Sequence, residues 1–212
     1  DRVEGRVREL SKRDDSLAGK LISANLQDLF EASDSELLAE LIRLCEKLQI
    51  KLGVKSLLVI AKSESQDLSA RVQAVQSVQV NKTQDASDQL IALLKSKHPE
   101  IQVAAVSKLA EIEPKTFARK MENNWRPLSL PAQQTFLSQL GTATSARGDE
   151  IVIDSLASLL EGELPKALEL DVITSAKARQ TPKLKQLIAR YESRQSAEDP
   201  FASYRSTLVG GQ

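Results

Sequence analysis

One histidine and one cysteine are all that the 212 residues offer for imidazole or thiolate chemistry. Catalysis needs groups that converge: a nucleophile beside its base, two opposed carboxylates, or clustered metal ligands. His98 and Cys45 stand 53 positions apart, and most such constellations are thereby excluded. His98 precedes Pro99 at a helix start, where an imidazole faces solvent or caps the turn. Cys45 falls on an apolar helical stripe and behaves there as a small hydrophobe. Glu36, Glu40 and Glu46 are interleaved with Arg43 and Lys47, the pattern of a solvated helix face. No catalytic, cofactor-binding or metal-ligating residue is assigned, and the chain does not read as an enzyme.

Two further groups invite a binding role. Lys177, Arg179, Lys183, Lys185, Arg190 and Arg194, with Glu192 among them, give the last helix pair a local positive excess. Such a run is either a soluble terminal face or a docking surface for an acidic neighbour, which Phe201 and Tyr204 would extend. Phe117, Met121 and Trp125, at i, i+4 and i+8, have the spacing of a buried stripe rather than of a ligand cage.

The elements that must position these residues are set by an internal repeat over residues 69–112. Ala70, Val72, Ala74, Val75 and Val78 are matched 31 residues on by Ile101, Val103, Ala105, Val106 and Leu109. Between the copies runs a second amphipathic stretch, Leu90, Ile91, Leu93 and Leu94, so each unit is a pair of antiparallel helices. With its small apolar first helix and Arg71 set between core positions, the unit resembles a HEAT repeat. Upstream, Ile42, Leu44, Cys45 and Leu48 fit the same pattern at a spacing of 30, and downstream Phe136, Leu137 and Leu140 continue it at 31. The expected fold is all-α, a right-handed α-α superhelix of about six helix pairs, with domain limits at 1–198 and a tail at 199–212.

In chain order, Val3, Val7 and Leu10 predict a first helix over 2–10, in the place of a cap. Leu17, Leu21 and Ile22 carry the pattern to a bend near Asn25, and Asp34 or Ser35 caps the next helix. His98-Pro99 opens a helix with the proline where its missing N–H is harmless. Residues 141–148 have no apolar stripe and read as the longest internal loop. Three apolar groups, around Leu156, Val172 and Leu187, give the last helices.

Charge and composition narrow the function further. Lys plus Arg equals Asp plus Glu at 29 each, so no global field draws the chain to nucleic acid or an anionic membrane. A helical-repeat enzyme acting on alkylated DNA would need a basic groove lined with aromatics, and one Trp with balanced charge disfavours it. No apolar run reaches about 18 residues, so direct membrane insertion is not expected. A single cysteine excludes a disulfide scaffold. The chain opens at Asp1 without a signal segment and reads as an excised piece of something longer.

The C-terminal third carries a family resemblance. Gln186-Leu187-Ile188-Ala189-Arg190-Tyr191-Glu192, then Asp199-Pro200-Phe201-Ala202-Ser203-Tyr204-Arg205, then Leu208-Val209-Gly210-Gly211, resembles the junction between HEAT repeats and a c-type cytochrome domain in planctomycete-type multidomain proteins. Those proteins commonly carry a sorbosone-type dehydrogenase propeller and are described as membrane-bound dehydrogenases or haem-binding proteins. The resemblance implies a bacterial, non-catalytic spacer or docking module, exported with its parent to the periplasm or cell envelope, whose partners are protein or the parent's neighbouring domains. Haem c would belong to a following domain, because the Cys-x-x-Cys-His motif is absent here and no cofactor is expected in this segment. The alternative is a stand-alone protein- or peptide-binding scaffold. In either case the tail is expected to form a short amphipathic helix, with Phe201, Tyr204 and Leu208 on one face against Leu187, Ile188 and Tyr191, ending in a Gly210-Gly211 hinge.

Overall fold

The computed structural model describes residues 2–3, 6–7, 16–79, 84–142, 145–179 and 181–198. Among the described residues the fold is all-α apart from one short ladder, and the chain divides into two compact units, Asp1–Gln79 and Val80–Gln212. The expected tail helix over 199–212, including Phe201 and Tyr204, lies outside the described residues.

In the first unit, β1 (Arg2–Val3) pairs antiparallel with β2 (Arg6–Val7), Arg2 opposite Val7 and Val3 opposite Arg6. This ladder replaces the helix expected over 2–10. Val3 and Val7 are four apart, which fits a helical stripe, but each is a β-branched residue beside an arginine, and so short an apolar pattern also fits a strand period of two. The helices α1 (Ser16–Ala24) and α2 (Leu26–Ala32) are separated at Asn25, whose amide nitrogen donates to the Leu21 carbonyl at 2.9 Å. Asp34 caps α3 (Ser35–Lys47) by accepting from the Leu37 N–H at 2.9 Å.

Behind that cap, Leu38, Ile42 and Cys45 are buried while Leu37 and Leu44 stay exposed. The helix ends with Gln49 in the left-handed region, φ 57°. After α4 (Val54–Lys62), α5 (Leu68–Gln76) packs on both α3 and α4. Ala70, Ala74 and Val75 allow that close approach and are fully buried with Leu57, Leu58 and Ala61.

The second unit contains α6 (Gln84–Leu93), α7 (Pro99–Ile112), α8 (Phe117–Met121), α9 (Leu130–Thr142), α10 (Ala146–Glu161), a 3-10 turn at Lys166–Leu168, α11 (Glu169–Ala178) and α12 (Pro182–Glu198). Packing follows alternate helices: α7 lies on α9 and α9 on α11, while α8 lies on α10 and α10 on α12. Two layers result, joined where α10 meets α9 and α11 and where α12 meets α11. Ile101, Ala105, Val106 and Leu109 of α7 and Ala132, Phe136, Leu137 and Leu140 of α9 are 0 to 1 % exposed, so most repeat columns are core columns; Val72 and Val103 of the same repeat are only half-buried, and Leu44, aligned with it upstream, is exposed. Phe117, Met121 and Trp125 are core as their spacing predicts, with Phe136 set 5.5 Å from the Phe117 ring and 5.4 Å from that of Trp125.

Residues 141–148 are not the long loop expected. Gly141 and Thr142 complete α9, Ser145 caps α10, and Ala146, Arg147 and Gly148 form its first turn. The described residues of the stretch, 141–142 and 145–148, belong to two helix ends, where side chains serve the unpaired backbone groups of the terminal turns, so no apolar stripe is needed. Ser145 Oγ, for example, accepts from the Gly148 N–H at 3.0 Å.

Candidate interaction surface

A recurring polar side chain sits in the repeat column that the apolar pattern skips. Arg71, Gln102 and Gln133 are spaced by 31, and each donates to a carbonyl of the segment before its helix. Arg71 Nε reaches Ala61 O at 3.1 Å, Gln102 Nε2 reaches Ser96 O at 2.7 Å, and Gln133 Nε2 reaches Arg126 O at 2.6 Å. Gln102 Oε1 also accepts from the Ser129 N–H at 2.8 Å. These bonds satisfy backbone acceptors that a helix or turn leaves open. The signal was legible in principle as a polar column in an apolar repeat, but a sequence does not say which carbonyl lies opposite.

The arrangement nearest to a nucleophile and base pairs Ser87 with Lys120, whose Nζ donates to Ser87 Oγ at 2.6 Å and to Glu113 Oε1 at 2.8 Å. The lysine nitrogen is the donor in both bonds, so the serine hydroxyl has no base turned toward it. Ser87 is also fully buried. The group is a brace joining α6 to the segment around α8. The bonds from Lys120 and Thr116 hold the Glu113 carboxyl below its ordinary range. Cys45 is fully buried, and desolvation raises its thiol pKa, which keeps it a thiol. His98 is the N-cap residue of α7, half-buried, with Pro99 in the first turn and no capping bond from its side chain. Among the described residues no three His, Cys, Asp or Glu side chains are grouped to hold a metal ion. The Glu40 carboxylate pairs with Arg43, and Gln73 links Arg43 Nε (3.0 Å) to Glu46 Oε2 (3.1 Å), so this charged face ties α3 to α5.

The basic residues of the last helix pair do not form one surface. Arg179 is 5 % exposed and is removed from the expected docking patch. Its Nε and Nη2 donate to the Leu140 carbonyl, and its Nη1 donates to Ser145 O at 3.3 Å and to Asp149 Oδ1. The cation therefore closes the C-terminal end of α9 and the first turn of α10, where a buried charge finds an ion-pair partner and carbonyl dipoles. Lys177 pairs with Glu192 at 2.8 Å, and Arg194 Nη1 donates to Leu160 O at 2.6 Å. Lys183, Lys185 and Arg190 are exposed on α12. Lys183 and Arg190, seven apart, share a face, whereas Lys185 lies about 200° around the helix from Lys183.

Beside α12 the second unit opens a cleft of about 540 Å³, lined by the end of α10, the 162–165 turn, the 3-10 turn and the residues Glu169, Tyr191, Arg194 and Gln195. Gly162, at φ 78°, makes the turn that ends α10, with its N–H on Leu159 O at 3.2 Å and that of Glu163 on Ser158 O at 2.9 Å. Leu159 and Leu160 are half-exposed in the lining. At its polar end Glu169 Oε1 accepts from the Tyr191 hydroxyl and from Gln195 Nε2, the latter at 3.1 Å. The carboxylate acceptor, first among the causes, pushes the Tyr191 pKa up to about 12. A smaller hollow of about 350 Å³ lies between Trp125, which carries the Arg126 guanidinium 5.1 Å from its ring centre, and Arg147, Ile151 and Asp154. No helix of the described residues is long and apolar enough to cross a membrane. Comparison of the chain with protein-family models, with curated proteins and with solved structures found no match.

Proposed function

We propose that the chain is a HEAT-like α-α superhelix that acts as a non-catalytic interaction module within a larger, redox-linked protein. The observation that carries the reading is the alternate-helix packing of the second unit, α7–α9–α11 in one layer and α8–α10–α12 in the other. That is how stacked helix pairs bury a face that no pair can bury alone. Within that unit the 31-residue columns fall on α7 and α9.

The parentage rests on the resemblance of residues 186–211 to the HEAT-to-cytochrome junction. On that reading the module spaces a dehydrogenase-like propeller from a haem-bearing domain in the periplasm or cell envelope, and its partners are those neighbouring domains. Sequencing the gene on both sides tests it. Propeller-coding sequence upstream and Cys-x-x-Cys-His downstream are the expected result, and finding neither would defeat the redox link. The second reading, a stand-alone scaffold for a protein or peptide, is favoured by the hollow at Trp125, which is of a size to take one side chain between an aromatic edge and mixed charges.

A further inference from the structure

We propose that the outer face of α3 is a self-association surface, on which a second copy of the chain lays its own α3 antiparallel. Leu37, Leu41, Leu44 and Leu48 are spaced by four, three and four residues, which places them within about 60° of arc on one side of the helix. Leu37 is 59 % and Leu44 40 % exposed, and Leu41 and Leu48 are half-buried. This stripe is separate from that of Leu38, Ile42 and Cys45, which is buried in the unit's own core. Arg43 and Glu46, through which α3 reaches Gln73 of α5, lie on the far side of the helix. Packed on α5 by one face, α3 turns a row of leucines outward by the other, where the end of a helical stack ordinarily presents polar side chains.

Spacing and charge select the occupant. Alternation of four and three is the seam of a two-stranded coiled coil. The stripe is also its own complement about a two-fold axis: with two copies antiparallel, Leu37 meets the partner's Leu48 and Leu41 meets the partner's Leu44, so one patch serves both chains. Glu40 and Lys47, both exposed, flank the stripe on its polar edge, and the Glu40 carboxylate also pairs with Arg43 of its own helix. The antiparallel arrangement sets Glu40 beside the partner's Lys47 and Lys47 beside the partner's Glu40, two ion pairs related by the axis. Parallel packing would turn Glu40 toward the partner's Cys45, a position buried in its own core, and would gain neither pair. A seam of about three turns is smaller than a permanent interface, so the dimer dissociates on dilution into the micromolar range. The face belongs to the first unit alone, and the pairing does not depend on what the parent carries.

The test uses the full chain under reducing conditions. In sedimentation equilibrium its mass should rise from the 23.3 kDa of one chain toward twice that value as the concentration is raised from about 2 µM to about 500 µM. Leu37→Gln with Leu44→Gln, both at exposed positions, should leave the melting temperature of the dilute chain unchanged and weaken association by at least about thirtyfold. Glu40→Lys alone or Lys47→Glu alone should weaken it by about tenfold at low salt, and the two together should restore it. A single-chain mass at about 500 µM would overturn the proposal and leave the face to an unlike partner. Association that survives the leucine changes would overturn it too, because another surface would then carry the dimer. Should the leucine variant melt early, the charge changes decide: restoration by the double reversal supports the antiparallel pair, and single reversals without effect reject it.

Discussion

At Gly148 the backbone of α10 passes directly beneath a buried guanidinium. A Cβ there would stand 2.5 Å from Arg179 Nη2 and 2.9 Å from Ser145 Oγ, so Gly148→Ala must move the group that closes α9. A loss of about 1–3 kcal/mol is expected from overpacking and displaced hydrogen bonds. Urea unfolding should show that loss, and in an Arg179→Met background the further loss should be much smaller, since the two changes act on one contact. Gln49 is the opposite case. Its φ of 57° asks a side chain to sit where glycine is at ease, and Gln49→Gly should raise stability by up to about 1 kcal/mol, read as a higher melting temperature. Tyr191 sets an alkaline limit. Its folded pKa is raised from the ordinary value of about 10 to about 12, so its bond to Glu169 contributes fully below pH 10 and is lost as the pH rises through 12. Tyr191→Phe should remove that alkaline step from a stability profile.

Among the elements, α7 is central to the second unit, lying against both α6 and α9. Val106 is fully buried on it, and Val106→Asp places a carboxylate without a partner between packed helices, a change expected to unfold the unit or strip it of several kcal/mol. An unchanged melting temperature would reject the register. The brace at Lys120 makes a pH prediction at the same scale. Because the Glu113 pKa is lowered on folding, first by the Lys120 hydrogen bond and then by Thr116, its contribution is complete above the ordinary glutamate value of about 4.3. It disappears as the pH falls through the lower folded value. Glu113→Gln should flatten the acid limb of the stability profile and leave the neutral region with a smaller, pH-independent loss.

At the scale of the molecule, the proposed stack of helix pairs would share stability mainly between nearest neighbours, so damage within the second unit should spread by adjacency rather than by sequence distance. Native-state hydrogen exchange of a partly destabilised variant such as Val106→Ala should therefore rise first in α6, α7 and α9 and last in α12. Uniform loss of protection through residues 84–198 would mean instead that the unit opens all at once. The helical class, the core columns and the division into α7, α9 and their neighbours were legible because a 31-residue repeat averages the apolar signal over several copies. The ladder at residues 2–7 was not, since four residues hold too few apolar positions to separate a period of 2 from one of 3.6.

Local chemistry in the sequence determined most of the residues that face inward, though not that Leu17, Leu21 and Leu44 stay exposed, where Pro99 and Asp34 begin helices, and that one His and one Cys are too few for most catalytic groupings. These follow from side-chain volume, backbone hydrogen bonding and residue counts, all of which act within a turn or two. Tertiary structure alone decided what the polar residues do. The charge run at 177–194 read as a surface because charge in a sequence has sign but no direction. Only the packing of α9 against α11 turned Arg179 inward onto Leu140 and Asp149, and only the meeting of α10 with α12 opened a cleft beside Tyr191, because both depend on which distant backbone ends are brought together.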